Sequence, residues 1–257
     1  MNRGKKLNII WQNSPDQPLL ANNRVHVWRA NLDLPTTEIE RLAAFLSTDE
    51  IARANKFHFI EHRRRFIAAR AILRQLLGNY LQISPNKIEF EYSDRGKPRL
   101  AASMGNSYIQ FNVSHSLEYA LYGFTNSYLI GVDLEYLREM ENITELAKRF
   151  FTHRKFQLIA NLTGREQQKA FFQLWTAKEV YLKALGTGLS SSLTDIELSF
   201  DGANPKLQAI KGKIATVNNW SMYHFVPAAN YIAAIIVNTQ IPKQHINFCM
   251  SINGLSI

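Results

Sequence analysis

The run Trp175–Ser190, WTAKEVYLKALGTGLS, constrains this chain more than any other stretch. Read as a helix, it places Trp175, Thr176, Glu179 and Lys183 in one sector about a quarter-turn wide, because residues four apart stack. Val180, Ala184, Ala177, Tyr181 and Leu185 fall on the opposite, mostly apolar side, and Gly186 and Gly188 supply the stop. A carboxylate and an ammonium therefore share a face with a tryptophan. A surface Glu–Lys pair at this spacing contributes only roughly 0.2–0.5 kcal/mol, so the pair alone fits an exposed helix equally well. The run also has an echo. Phe66–Gly78, FIAARAILRQLLG, aligns with Leu174–Gly186, LWTAKEVYLKALG, and strands follow each. That pattern predicts two similar α+β halves, divided near Asn126 into residues 1–126 and 127–257.

A length of 257 residues suffices for two such halves, each with its own core. No apolar run is long enough to cross a bilayer, and the N-terminus, MNRGKKLNIIWQNSPDQP, has no apolar segment of the signal-peptide kind. The single cysteine, Cys249, excludes an internal disulfide and a cysteine-rich zinc site. These features predict a cytoplasmic enzyme or binding protein. The net charge of +9 suits nucleic acid, anionic lipid, a phosphorylated small molecule or an acidic protein, and composition does not choose among them.

Along the chain, residues 1–23 read as a polar leader and Arg24–Leu32 as a strand. Pro35-Thr36-Thr37 opens a helix, and Ser47-Thr48-Asp49-Glu50 is the cap and first turn of the next. The basic stretch from His62 to Leu81 has helical apolar spacing, with Arg63, Arg64, Arg70 and Arg74 partly outward and an end at Gly78-Asn79. Strands follow at residues 88–92, and 108–125 and 128–137 read as antiparallel strands joined by short turns. Residues 144–162 read as helical and 165–186 as a long helix. Strands recur at 195–200, 220–227 and 230–238, and from Thr239 no pattern is legible.

Strand alternation in LIGVDLEYL sends Ile130, Val132 and Leu134 one way and Gly131, Asp133 and Glu135 the other. Two carboxylates on one strand face repel unless exposed or bound to a cation. With Glu179 they make three oxygen ligands for a hard metal such as Mg²⁺, though an acidic strand edge explains them equally well. Ser114 and His115, at a strand end, suit an anion; Lys97 sits on a turn stiffened by Pro98, and Arg53 lies just before the arginine-rich helix. Each taken singly fits a solvated charge. Together with the carboxylates they describe a site for a polyphosphate and a divalent metal.

Gly131–Glu135 (GVDLE), Arg149–Phe151 (RFF) and Trp175–Lys183 (WTAKEVYLK) resemble the signature of 4′-phosphopantetheinyl transferases. Gly96–Pro98 (GKP) and Phe111–Ser116 (FNVSHS) are similar to upstream motifs of the Sfp-type branch, and the likeness spans roughly residues 40 to 235. The resemblance implies two halves related by a pseudo-two-fold, with the active site in the cleft between them. It implies transfer of the phosphopantetheine arm of coenzyme A to a serine of an apo acyl or peptidyl carrier protein, releasing 3′,5′-ADP. By position, Asp133, Glu135 and Glu179 would hold Mg²⁺ or Mn²⁺, Lys183 and His115 the pyrophosphate, and Arg53 and Lys97 the 3′-phosphate, with Ser114 in the same pocket. A monomer acting without nucleic acid or membrane is implied, steered to an acidic carrier by its positive charge. The alternatives are another Mg²⁺-dependent phosphoester enzyme, such as a nuclease, and a basic nucleic-acid-binding protein. One position departs from the family pattern: Lys155 stands where many Sfp-type relatives carry a glutamate.

Overall fold

Two 22-residue helices, α3 (Ile60–Leu81) and α6 (Gly164–Leu185), each back a separate sheet in a computed structural model of the chain. The structure describes residues 9–13, 18–105, 108–188, 193–201, 204–213 and 217–250; Leu189 and Ser190 of the motif run lie outside them. The first half runs β1 (Val25–Asn31), α1 (Thr36–Ala43), α2 (Thr48–Ala54), α3, the hairpin β2 (Phe90–Tyr92) and β3 (Pro98–Leu100), then β4 (Ile109–Ser116) and β5 (Tyr119–Asn126). The second runs β6 (Ile130–Tyr136), α4 (Ile143–Phe150), α5 (His153–Ala160), α6, the hairpin β7 (Ile196–Asp201) and β8 (Asn204–Ile210), then β9 (Ser221–Phe225) and β10 (Tyr231–Val237). The same order of elements occurs twice. The sheets follow it: β1-β5-β4 in one half, β6-β10-β9 in the other, antiparallel throughout. The fold is α+β.

The tail departs from the expected division at 126/127. Residues 246–250, illegible in the sequence, form β11, which lies parallel to β1 in the first half's sheet. The edge of β1 needs partners for its amides and carbonyls, and Ile246, Phe248 and Cys249 need cover, so one pairing satisfies both. Nor is the described part of residues 1–23 only a polar leader. Gln12 pairs with β11, Trp11 packs edge-on against Phe248, and the Arg29 guanidinium lies 4.6 Å from the centre of the Trp11 ring.

Alternation along the strands sorts the core into layers. Val25, Val27, Ile130, Val132, Leu134, Ile235 and Phe248 share a cluster between the two sheets. Trp28, Ala30 and Leu32 face α3, while Ile232, Ala234 and Ile236 face α6. The predicted capping box at Ser47 and Glu50 is present. Two readings of the basic helix change. It runs through Gly78 to Leu81, because a Cβ at Gly78 would stand 2.7 Å from the Ile83 carbonyl, so the glycine marks a close approach and not an end. Arg74 is buried, bonded to Glu50 at 2.7 Å and to the Pro85 and Ile88 carbonyls. The predicted helical span 144–162 is two helices, parted where Phe151 turns extended to enter the core.

The halves meet where β4 passes β6. Asn112, Ser114 and Ser116, alternate residues of β4, accept the backbone N–H groups of Val132, Leu134 and Tyr136 at 2.9, 3.2 and 3.1 Å. On its other face β6 lies hard against α6: a Cβ at Gly131 would sit 1.9 Å from the Val180 carbonyl oxygen and 2.9 Å from the Ala184 nitrogen. Those are backbone atoms and cannot swing aside. Gly131→Ala is therefore expected to destabilise by about 1–3 kcal/mol or more, a melting-temperature loss of about 2–4 °C per kcal/mol at this chain length. Gly123→Ala should be milder, since its clashes at 2.7 and 2.8 Å are with the side-chain ends of Val132 and Ile130. Calorimetry compares them, and a wild-type melting point for Gly131→Ala would contradict this seating of α6 on β6.

Candidate active site

The close seat at Gly131 brings the polar sector of α6 onto the Asp133 side of β6. Lys183 Nζ lies 2.6 Å from Asp133 Oδ1 and donates to Ser114 Oγ at 2.8 Å; the Ser114 hydroxyl in turn donates to Asp133 Oδ1 at 3.1 Å. Asp133 and Glu179 are buried. Asp133 Oδ2 and Glu179 Oε1 are shut from solvent without a hydrogen-bond partner, an arrangement that costs free energy unless something binds there. Glu179's carboxyl is pushed up to about 7, first by burial, then by Asp133, with Lys183 opposing and Glu135 adding. Glu135 is also raised, by burial and then by Asp133, against the opposite pull of Arg138, whose Nη1 lies 3.5 Å away. These carboxylates repel one another where water cannot screen them.

Among the described residues, no three His, Cys, Asp or Glu side chains already form a closed metal cage. The donors present are oxygens only, two of them buried and bare. That set fits a hard cation which takes one or two carboxylates and completes its shell with water and phosphate oxygens.

The remaining expected residues divide into two groups. Lys97 lines a cavity of about 220 Å³ with Lys183, Gly186 and Gly188. Its ammonium donates to the Ala184 carbonyl at 2.7 Å, tying the β2–β3 turn to the end of α6, and burial draws its pKa down to about 8. His115 points to the other face of β4 from Ser114 and lines a second cavity, of about 260 Å³, with Phe57, His62, Arg65 and Phe66. It keeps an exposed edge, yet the cavity walls desolvate its imidazole and Lys183 repels a second positive charge; both lower its pKa. Arg53 is exposed and lies over the ring of Phe66, 5.4 Å from its centre. Lys97 thus shares a cavity with Lys183, while His115 lines a second one and still feels the Lys183 charge; Arg53 meets that second cavity only through the Phe66 ring.

Three features escaped the sequence. Asn112 and Ser116 serve as acceptors between the halves; their alternate spacing with Ser114 was the available signal. Lys178, inside the motif run, is buried and donates to the Leu193 and Phe150 carbonyls at 2.5 and 3.4 Å, with its pKa drawn down to about 8 by burial and by Lys155. Trp175 packs against Phe171 and Phe150, and Phe151 against Phe171, so RFF and the tryptophan form one aromatic support for α6. Lys155 lines a separate cavity of about 510 Å³ beside Lys178, and both burial and Arg154 lower its pKa.

Comparison with known proteins covers both halves. Residues 129–236 match a family model described as "4'-phosphopantetheinyl transferase superfamily", and residues 33–123 one described as "4'-phosphopantetheinyl transferase, N-terminal". The 4′-phosphopantetheinyl transferase HetI of Nostoc sp. is 44% identical over 231 residues, covering 90% of this chain and 94% of its own. The 4′-phosphopantetheinyl transferase Sfp of Bacillus subtilis is 29% identical over 171 residues, 66% of this chain and 74% of its own. A human L-aminoadipate-semialdehyde dehydrogenase-phosphopantetheinyl transferase is 27% identical over 62% of this chain and 54% of its own. With one relative matched at such identity nearly end to end, the chain belongs to the 4′-phosphopantetheinyl transferase superfamily.

Proposed function

We propose that this enzyme moves the 4′-phosphopantetheine arm of coenzyme A onto a serine hydroxyl of an apo acyl or peptidyl carrier protein, in the cleft where β4 meets β6 and α6. The observation that carries this is the pair of bare, buried carboxylate oxygens beside the Lys183 ammonium. Asp133 through Oδ2 and Glu179 through Oε1 would hold Mg²⁺ or Mn²⁺, with Glu135 on the solvent side once released from Arg138. When bound, that cation neutralises charge on the pyrophosphate. Lys183 and Lys97 line one cavity and would take one set of phosphate oxygens; His115 lines the other and would take the second, with Arg53 stacked on the Phe66 ring of its wall. Glu179 would accept the serine proton as the serine oxygen bonds to phosphorus and the bridging bond breaks toward 3′,5′-ADP.

The working form is proposed to be a cytoplasmic monomer without nucleic-acid or membrane partners. No helix among the described residues is long and apolar enough to cross a membrane. Of the basic helix's arginines, Arg74 and Arg65 pair within the protein, with Glu50 and Asp33, which supports a protein partner over a nucleic acid.

Incubating the enzyme with coenzyme A, Mg²⁺ and a panel of apo carriers, then weighing the carriers by mass spectrometry, tests the reading. A gain of the phosphopantetheine mass is expected, absent with EDTA and absent for Asp133→Ala; full transfer by a chelated sample would contradict the metal role. The pH dependence has a definite sign. Because Glu179 holds its proton up to about 7, Mn²⁺ must displace it at lower pH, and affinity by calorimetry should fall up to about tenfold per unit below that point. Without a cation, the same group contributes stability below its ordinary value of 4.5, lost as pH rises through about 7.

Lys155 lines a cavity with Lys178, and none of Asp133, Glu135 and Glu179 lines it. Glu179→Gln should therefore cost roughly 10²-fold or more in kcat. Lys155→Ala should stay within about threefold, as one partly solvated charge is worth under about 1 kcal/mol. Steady-state kinetics of the pair, with coenzyme A affinity measured separately, compares them; equal damage would give Lys155 a role in the chemistry.

A further inference from the structure

Ser114 has all of its hydrogen-bonding capacity committed within the protein. A serine hydroxyl offers one donor and two acceptor sites. The proton goes to Asp133 Oδ1 at 3.1 Å; the oxygen accepts Lys183 Nζ at 2.8 Å and the Leu134 amide at 3.2 Å. In this arrangement the proton is directed at Asp133 and not at an anion, the partner that its place at a strand end suggests. The residue is buried and sits on β4, in the first half, while all three partners belong to the second.

We propose that Ser114 is a positioning residue: it holds Asp133 by Oδ1 so that Oδ2 alone is presented to a cation, and it anchors the Lys183 ammonium beside it. The inference rests on the reading of Asp133 as a cation ligand. Lys183 alone would not fix the carboxylate, since a lysine is a point charge on a flexible stem and tolerates many carboxylate rotamers. The serine, held by its own strand and by the Leu134 amide, supplies the missing direction. Partners of this kind, one step behind a metal ligand, govern affinity as strongly as many ligands do. Asn112 and Ser116 repeat the amide contact, and of the three only Ser114 also bonds to Asp133 and Lys183, so the coupling to the carboxylate belongs to the middle rung.

The test compares Ser114→Ala with Asn112→Ala. Each removes the acceptor of one buried β6 amide, so both should melt below wild type. Only Ser114→Ala should weaken Mn²⁺ binding, measured by calorimetry without coenzyme A or carrier, by about tenfold or more. Its kcat should fall by a similar factor, the scale of one hydrogen bond to a charged group. Mn²⁺ affinity in Ser114→Ala within about twofold of that in Asn112→Ala would overturn the proposal, since losing the partner behind a metal ligand should cost about tenfold. Should Ser114→Ala not fold, Ser114→Cys gives the same comparison, because a thiol is a weak donor and acceptor of similar size. A wild-type protein that binds Mn²⁺ yet modifies no carrier would count against the transfer reading, and the Mn²⁺ comparison would still decide the role of Ser114.

Discussion

Strand β6 borders its own sheet on one side only, so the amides on its other edge face the first half of the molecule. Buried amides without acceptors cost free energy, and much of the architecture follows from how these are satisfied. Backbone pairing with β4 would have merged the two sheets into one. Side chains of β4 take that part instead, at a constant offset of 20 residues: Asn112 to Val132, Ser114 to Leu134, Ser116 to Tyr136. Side-chain acceptors do not demand a common pleat, so the sheets stay separate and stack through Val25, Val27, Ile130 and Val132. The seam that results is where Asp133 and Lys183 meet a residue of the other half.

Charge follows a similar logic. A net +9 suggests a basic surface, yet many cations serve internal contacts. Arg74 and Arg70 converge on the buried Glu50, at 2.7 and 3.4 Å. Lys97 and Lys178 donate to backbone carbonyls at the ends of α6 and α4, in places where burial lowers both pKa values. Each such lysine fastens one element to another. Lys183 differs, because its partner Asp133 is itself short of one neighbour. Excess negative charge in a dry place, bordered by lysines, is unfavourable for the empty protein and favourable for a cation with a polyphosphate.

Much of this was legible in the sequence. The Glu179–Lys183 sector, the split of β6 into an apolar and an acidic face, the Ser47 capping box and the stop at Gly186 all follow from local periodicity and cap chemistry, which need no tertiary knowledge. What stayed hidden depends on distant partners. The buried place of Arg74 depends on Glu50 from another helix. Residues 246–250 carry no strong alternation and become a strand only against β1. The bond from Ser114 to Asp133 joins two strands and has no local signal.

The repeated order of elements also shows what distinguishes a site from a core. Asn31 of β1 pairs with Tyr119, and Tyr136 of β6 pairs with Tyr231. Counted back from those ends, Trp28 and Ala30 fall where Asp133 and Glu135 fall, and the helix echo puts Ala71 where Glu179 stands. In the first half these three positions are fully or nearly fully buried and apolar, packed with α3 into an ordinary core. In the second half the same strand–helix contact carries three carboxylates, which a core could not tolerate unaided. Two conditions permit them. Gly131 lets α6 approach until Lys183 reaches Asp133, and the β4 side chains supply a polar wall that β1 has no equivalent of, since β11 covers its edge by backbone pairing. The buried carboxylates thus sit in the half whose strand edge was left for side chains to satisfy.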